Sequence, residues 1–310
     1  MPELAIMIEG QNGLNWPRWK RIARAVEDLG FAGLYRSDHY TNAGPPDLDS
    51  LELWVSLAWL ADHTARIEFG PLVSPLSFRH PTMLARYARD VDDLSGGRLH
   101  LGLGAGWQER EHHNFGLDLL DVEGRFRRFE EGLTVITRLL QQDGPVDFSG
   151  EFFTLRGAVL LPRPSRPGGP PILIGGNGER RTLPLVARFA SMWNAVYIPP
   201  ARLRELNTRL DELLEAAGRR PFDVHRSIMT GLIFGRDDAE VQRKLDARRT
   251  PATREDLRAR GVVVGTPDEV VDHLGQLGEA GAARVMLQWL DLDDLDGLEA
   301  LAATVLPQLR

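Results

Sequence analysis

The 310-residue sequence contains no cysteine. That excludes disulfides, thiolate nucleophiles and Cys-ligated metal ions or clusters. Lysine is almost missing as well: of 37 basic residues only Lys20 and Lys244 are lysine, and the rest are arginine. There is no basic block and the formal net charge is −7, so a nucleic-acid partner is not expected. No run is long and apolar enough to span a bilayer, which leaves no membrane partner. Met1 to Gly13 lacks the basic stretch and apolar run of a signal peptide. The expectation is a soluble, cytoplasmic protein acting on a small-molecule substrate.

What the sequence does carry is a glycine turn in the stretch Pro170 to Glu179. Ile172 to Ile174 reads as a buried parallel strand. Gly175, Gly176 and Gly178 follow at once, and a helical pattern starts near Glu179. A strand, a glycine turn and a helix N-terminus aim several N–H groups at one point, where the helix dipole adds roughly half a positive charge. That is an anion cradle, usually for phosphate. It lacks the Lys-Ser/Thr of a P-loop and the full G-x-G-x-x-G spacing. A tight βα turn with no ligand calls for the same glycines.

The length suits two average domains or one α/β barrel. Apolar runs at Leu4–Ile8, Phe31–Arg36, Ile67–Ser74, Arg98–Gly104, Ile172–Ile174, Met192–Val196, Val224–Phe234 and Arg284–Gln288 read as strands. Helical patterns follow them at Trp16–Leu29, Asp49–His63, Pro81–Leu94, Gly124–Gln141, Thr182–Ala190, Ala201–Ala217, Asp237–Arg248, Thr266–Glu279 and Leu295–Leu309. Pro71 is awkward inside a central strand and suggests an irregular end there. Residues 105–123 form a polar and aromatic excursion after the fourth strand. Residues 143–171 form a Pro/Gly-rich insertion before the fifth, with a hairpin over Val146–Leu155, placed as a lid. The charged stretch 249–263 is assigned no element. Strand and helix alternating at spacings of roughly 30 to 40 residues predict a (β/α)8 TIM barrel over a single domain, residues 1–310. A doubly wound sheet is the alternative.

In a barrel, chemistry gathers at the C-terminal ends of the strands. Those ends carry Glu9, Gln11, Asp38, His39, Ser74, Trp107, Gln108, Glu109, Asn194, Tyr197, Thr230 and Gln288, beside the glycine cradle. This set fits a pocket for a large, planar, phosphorylated ligand. It suits a metal less well: His112 and His113 are adjacent and diverge, and no H-x-H or H-E-x-x-H pairing exists. No metal is expected. His100 reads as a packed strand residue, and His112 and His113 as solvated loop residues.

Several stretches occur in a telling order: Arg36-Ser37-Asp38-His39, Phe78-Arg79-His80-Pro81, Ser95-Gly96-Gly97-Arg98-Leu99, Gly102 to Trp107, Phe148 to Phe153, and Pro171 to Gly178. Together they resemble the bacterial luciferase-like monooxygenase superfamily, and within it the oxidoreductases that use coenzyme F420, a deazaflavin. The resemblance covers nearly the whole chain. It implies a (β/α)8 barrel with a flavin or deazaflavin across the strand ends. It places His39 by the reactive ring with Asp38 beside it. It puts a non-proline cis peptide at Leu72-Val73, just before Ser74, to support the ring. It sets Trp107 after Gly106, with Glu109 and Glu111 close behind, and the phosphate at Gly175, Gly176, Asn177 and Gly178.

The chain also departs from the family's sugar-phosphate dehydrogenases. Ala43 or a neighbour stands where they have a tryptophan, and Trp107 stands where they have an acid. Basic residues for a substrate phosphate are not evident, so a sugar phosphate is not the expected substrate. The reading is a homodimeric oxidoreductase that passes a hydride between F420 and a small organic substrate, with His39 and Glu109 as catalytic residues. The alternative is a reduced-FMN monooxygenase served by a partner reductase and oxygen. A non-catalytic flavin-binding barrel is the third possibility.

Overall fold

The first strand, β1 (Glu3–Ile8), shows how the barrel is made. Successive side chains of a strand point to opposite faces. Leu4, Ile6 and Ile8 face outward into the layer beneath the helices, while Ala5 and Met7 face the barrel interior. The first helix, α1 (Trp16–Leu29), opens on Asn15, whose side chain accepts from the Arg18 N–H, and carries Pro17 in its first turn. It buries the stripe Trp19, Ile22, Ala23 and Val26. Gly30, at φ 92°, ends it in the left-handed conformation.

The computed structural model describes residues 1–248 and 250–309. After α1 come β2 (Gly33–Arg36), α2 (Leu53–His63), β3 (Glu68–Pro71), β4 (Ser74–Pro75), α3 (Pro81–Leu94) and β5 (Leu101–Gly104). Then follow α4 (Glu109–Asn114), α5 (Val122–Gln141), β6 (Val146–Ser149), β7 (Thr154–Ala158), β8 (Ile172–Gly175), α6 (Thr182–Phe189), β9 (Met192–Val196) and α7 (Pro200–Ala216). The chain continues with β10 (His225–Phe234), α8 (Asp238–Asp246), α9 (Arg254–Ala259), β11 (Val263–Gly265), α10 (Pro267–Glu279), β12 (Arg284–Gln288) and α11 (Leu295–Val305). No helix among the described residues is long and apolar enough to cross a membrane.

All pairings in the large sheet are parallel, in the order β3-β2-β1-β12-β10-β9-β8-β5-β4. The ring closes where Phe69 bridges Leu99: the Phe69 N–H donates to the Arg98 carbonyl at 3.1 Å and the His100 N–H to the Phe69 carbonyl at 2.8 Å. The expected α/β barrel is therefore present, with one expected break in a strand and two differences from the sequence reading. The third strand is split into β3 and β4 by a cis bond between Leu72 and Val73, as the resemblance implied. Stretch 249–263, given no element, contains α9 and leads into β11, a short extra strand on the β10 edge; Arg249 itself lies outside the described residues. The hairpin β6–β7 is formed but does not cover the strand ends. It lies against the flank of α5, where Glu131 accepts from the N–H groups of Glu151, Phe152 and Phe153 and Arg138 stacks over Phe148.

Inside the barrel, Ala5, Met7, Tyr35, Leu72, Leu173, Met192, Met229 and Met286 pack together. Fully burying one such large side chain contributes about 1.5–3 kcal/mol. The N-terminal end is plugged by charge. The Tyr35 hydroxyl bonds His100 Nδ1 at 2.6 Å and accepts from Arg284 at 2.7 Å, and Arg284 pairs with Glu3 and Glu68. Chemistry is thereby left to the opposite end.

Candidate active site

At the end of β2 the chain turns through Ser37, Asp38 and His39. His39 Nδ1 lies 2.8 Å from Glu111 Oε1, and the other Glu111 oxygen accepts from the Tyr40 N–H at 3.0 Å. Glu111, on the inner side of α4, is only 1% exposed. Burial alone would push the His39 pKa down. The hydrogen bond and charge of Glu111, with the more distant charges of Glu9 and Asp38, outweigh it, and the pKa is raised above the ordinary histidine value. Trp107 stands edge-on to the imidazole, with ring centroids 5.6 Å apart.

His39, Glu111 and Trp107 belong to the wall of a cavity of about 490 Å3 at the C-terminal strand ends. Met7, Met229, Leu72 and Val73 give it apolar surface, and Gly106, Gly175 and Gly176 bring backbone close to it. Glycine is needed around the bulge. A Cβ on Gly104 would stand 2.6 Å from Val73 Cγ2, and one on Gly175 3.1 Å from Val73 Cγ1. The wall also holds Asn194, which is 1% exposed and whose amide oxygen is buried without a partner among the described residues.

The same wall carries a polar chain. The Tyr197 hydroxyl donates to the Gln288 oxygen, Gln288 Nε2 donates to Glu9 at 2.5 Å, Gln11 Nε2 donates to the other Glu9 oxygen at 2.9 Å, and the Ser37 hydroxyl donates to Gln11 at 2.7 Å. Every amide in the chain is thus fixed in orientation. Tyr197 holds a left-handed φ of 49°, a conformation bulky residues seldom adopt away from functional positions. Burial, helped by the Glu9 charge, pushes its hydroxyl up to about 12.

The model of the luciferase-like monooxygenase family matches residues 5–253. The chain belongs to that family. It is 34% identical over 61% of its length to a 4-hydroxyprotoasukamycin monooxygenase from Streptomyces nodosus subsp. asukaensis, and 28% identical over 71% of its length to an F420-dependent glucose-6-phosphate dehydrogenase from Kineococcus radiotolerans. The matches span 49% and 65% of those two relatives. An F420-dependent secondary alcohol dehydrogenase, solved with an F420-acetone adduct, shares the fold with a TM-score of 0.86 at 18% identity over the whole of both chains.

Of the residues that the luciferase-like resemblance pointed to, His39, Leu72, Val73, Gly106, Trp107, Glu111, Gly175 and Gly176 line the cavity. The others do not. Glu109 is exposed on the outer side of α4, and the carboxylate brought to His39 is Glu111. Asp38 is buried behind the wall, holding Ser74 at 2.7 Å and both ends of the Arg79 guanidinium. Ser74 is spent on that bond. Asn177 clamps the Val196 backbone in both directions, at 2.7 and 2.9 Å. Gly178 gives its carbonyl to Thr182 and Leu183.

The cradle itself differs from the sequence reading. Helix α6 starts at Thr182, as the helical pattern Thr182–Ala190 gave and three residues past the start near Glu179 that the cradle assumed, and the Gly176 N–H is already donated to the Asn194 carbonyl at 2.9 Å. In this turn, among the described residues, the N–H groups left without an acceptor are those of Asn177, Gly178, Glu179, Arg180 and Arg181. Arg180 and Arg181, exposed beside them, add positive charge that the glycine pattern did not signal. His112 is also not a solvated loop residue: it is buried between the Gln108 carbonyl and the Ser77 hydroxyl, both at 2.7 Å.

Proposed function

We propose that this chain is an oxidoreductase that exchanges a hydride between coenzyme F420 and a small organic substrate. The observation that carries the reading is the buried His39–Glu111 pair set in the wall of a cavity that joins apolar surface to a fixed polar chain. The surroundings fit a planar cofactor. Val73, Gly106, Trp107, Gly175 and Gly176 offer flat or close-approach surface, the Asn194 oxygen is an unused acceptor for a ring N–H, and the turn at Gly178–Arg180 offers N–H groups and arginines to a phosphate. Bound there, the deazaflavin supplies or accepts the hydride.

The chain's own residues handle the proton. Glu111 holds the His39 Nδ1 proton and fixes the ring, leaving Nε2 for a reacting oxygen. His39 gives the proton when a carbonyl is reduced and takes it when an alcohol is oxidised. The fixed chain Tyr197–Gln288–Glu9 presents oriented polar groups across the cavity. The enzyme is expected as a cytoplasmic homodimer.

A second reading is a reduced-FMN monooxygenase, favoured by the 34% identity to a monooxygenase. The deciding experiment titrates purified protein with F420 and FMN side by side and then offers a panel of alcohols and ketones. Tighter F420 binding with F420-linked turnover supports the first reading. Much tighter FMN binding overturns it in favour of the monooxygenase, and binding without turnover on any substrate leaves a non-catalytic flavin-binding barrel.

A further inference from the structure

A second cavity, of about 560 Å3, shares Gln288 with the first. Its apolar wall comes from Leu232 and Phe234 at the end of β10 and from Trp289 and Leu290 just after β12. Trp289 is 6% exposed and its indole N–H has no acceptor among the described residues. Two cations and two carboxylates also line this space. Lys244 is committed: it lies 3.3 Å from Asp294 and 3.5 Å from Glu240. Asp294 is committed too, capping α11 through the Gly297 N–H at 2.8 Å. Asp291 is exposed and accepts from the Asp293 N–H at 3.2 Å.

That leaves Arg248, for which no carboxylate lies within ion-pair reach among the described residues. Its charge is felt at the Tyr197 hydroxyl, the group that bonds Gln288 on the shared wall. A guanidinium beside an apolar surface, in a space that meets the first cavity at Gln288, suits an anion carried on hydrocarbon. Its planar fork of donors matches a carboxylate, and the neighbouring side chains accept hydrocarbon.

We propose that the second cavity is an arm of the active site that takes the carboxylate-bearing end of an amphipathic substrate, anchored by Arg248 against the wall of Phe234, Trp289 and Leu290. This rests on the reading of the first cavity as the place of reaction. The substrate class is then an organic acid whose reacting carbon lies several bonds from its carboxylate, with Gln288 between the two regions.

The test uses 4-phenylbutyrate and the uncharged 4-phenylbutanol as probes, titrated calorimetrically into the purified full-length chain without cofactor. The acid is expected to bind at least about tenfold more tightly than the alcohol. Arg248→Ala should cost the acid about tenfold and leave the alcohol unchanged, while Arg248→Lys should recover part of the loss. Arg248 is exposed, so the melting temperature of both variants should stay near the parent's. Equal binding of acid and alcohol, no binding of either, or an acid affinity unmoved by Arg248→Ala would overturn the proposal. Separate titrations with F420 and FMN distinguish the two readings: acid binding that depends on Arg248, in a protein that takes neither cofactor, sinks the proposed function and not the acid site.

Discussion

His39 was legible from its position at a strand end; its partner was not. Glu109 and Glu111 both follow Trp107, and spacing alone does not say which side of a six-residue helix faces in. The side is decided by His112, whose two ring nitrogens are bonded to Gln108 and Ser77 and hold that turn of α4 against the barrel. Replacing His39 with Ala should lower turnover by on the order of a hundredfold or more, with cofactor affinity in a fluorescence titration nearly unchanged. Glu111→Gln should act differently. Without the carboxylate charge the His39 pKa drops, because the largest effect opposing burial is gone. If protonated His39 is the working form, activity is lost as pH rises through its pKa, and the variant should lose it at lower pH than the parent. An unshifted pH profile would count against the pair.

At the scale of elements, most of the family-like stretches turn out to be braces, and only a few of their residues face the cavity. Arg36 spans to the Ser56 hydroxyl at 2.7 Å and the Leu51 carbonyl at 2.8 Å. Arg79 holds Asp38 and Glu52 together. In Ser95-Gly96-Gly97-Arg98-Leu99, the Arg98 guanidinium bonds the carbonyls of Ala61, Thr64, Ile67 and Ser95. It ties the end of α2, the approach to β3 and the end of α3 into one joint. Arg98→Ala should cost on the order of 3 kcal/mol in urea unfolding, because several carbonyls lose their donor at once. Arg98→Lys should recover little, since an ammonium cannot reach so many acceptors. The bulge gives a second test. Gly104→Ala would drive its Cβ into Val73, so cofactor binding should weaken about tenfold or more while the circular dichroism spectrum is retained. Unchanged affinity would remove Val73 from the ligand surface.

Over the whole molecule, the alternation of strands and helices was readable because each strand pairs an outward apolar face with a buried interior one. Stretch 249–263 was not readable because its helix has six residues and its strand three, too short to show a period. Several of its described charges form local ties, such as the Thr253–Asp256 capping box and the Arg258–Glu269 pair. The histidines set a further property. Burial, with the Arg284 charge, pushes His100 down to about 3, and burial also lowers His225 and His273. A group whose folded pKa is depressed supports the fold above its ordinary pKa of about 6.5 and loses that support as pH falls. For His100 the loss runs from about 6.5 toward 3. His39 works the other way: its raised pKa adds stability below about 6.5, and this is lost as pH rises through the raised value. The two senses together place the histidine contribution at its maximum near pH 6.5. Unfolding free energy followed from pH 4 to 8 should show that maximum, and His100→Asn should flatten the acid limb. A parent curve that keeps rising below pH 6 would contradict the assignment.

The scarcity of lysine makes the protein its own chemical probe. Lys20 is exposed and lies over the rings of Trp16 and Trp59, 5.9 and 5.7 Å from their centroids, on the outer face of α1. Lys244 sits on the wall of the second cavity, tied to Asp294. An acylating reagent aimed at amines therefore meets two side chains in very different places. Intact-mass spectra would resolve the adducts as they form, and peptide mapping would assign each to its lysine. Acylation of Lys20 would run at a steady pace as an internal clock, and acylation of Lys244 would slow whenever a guest fills the cavity beside it.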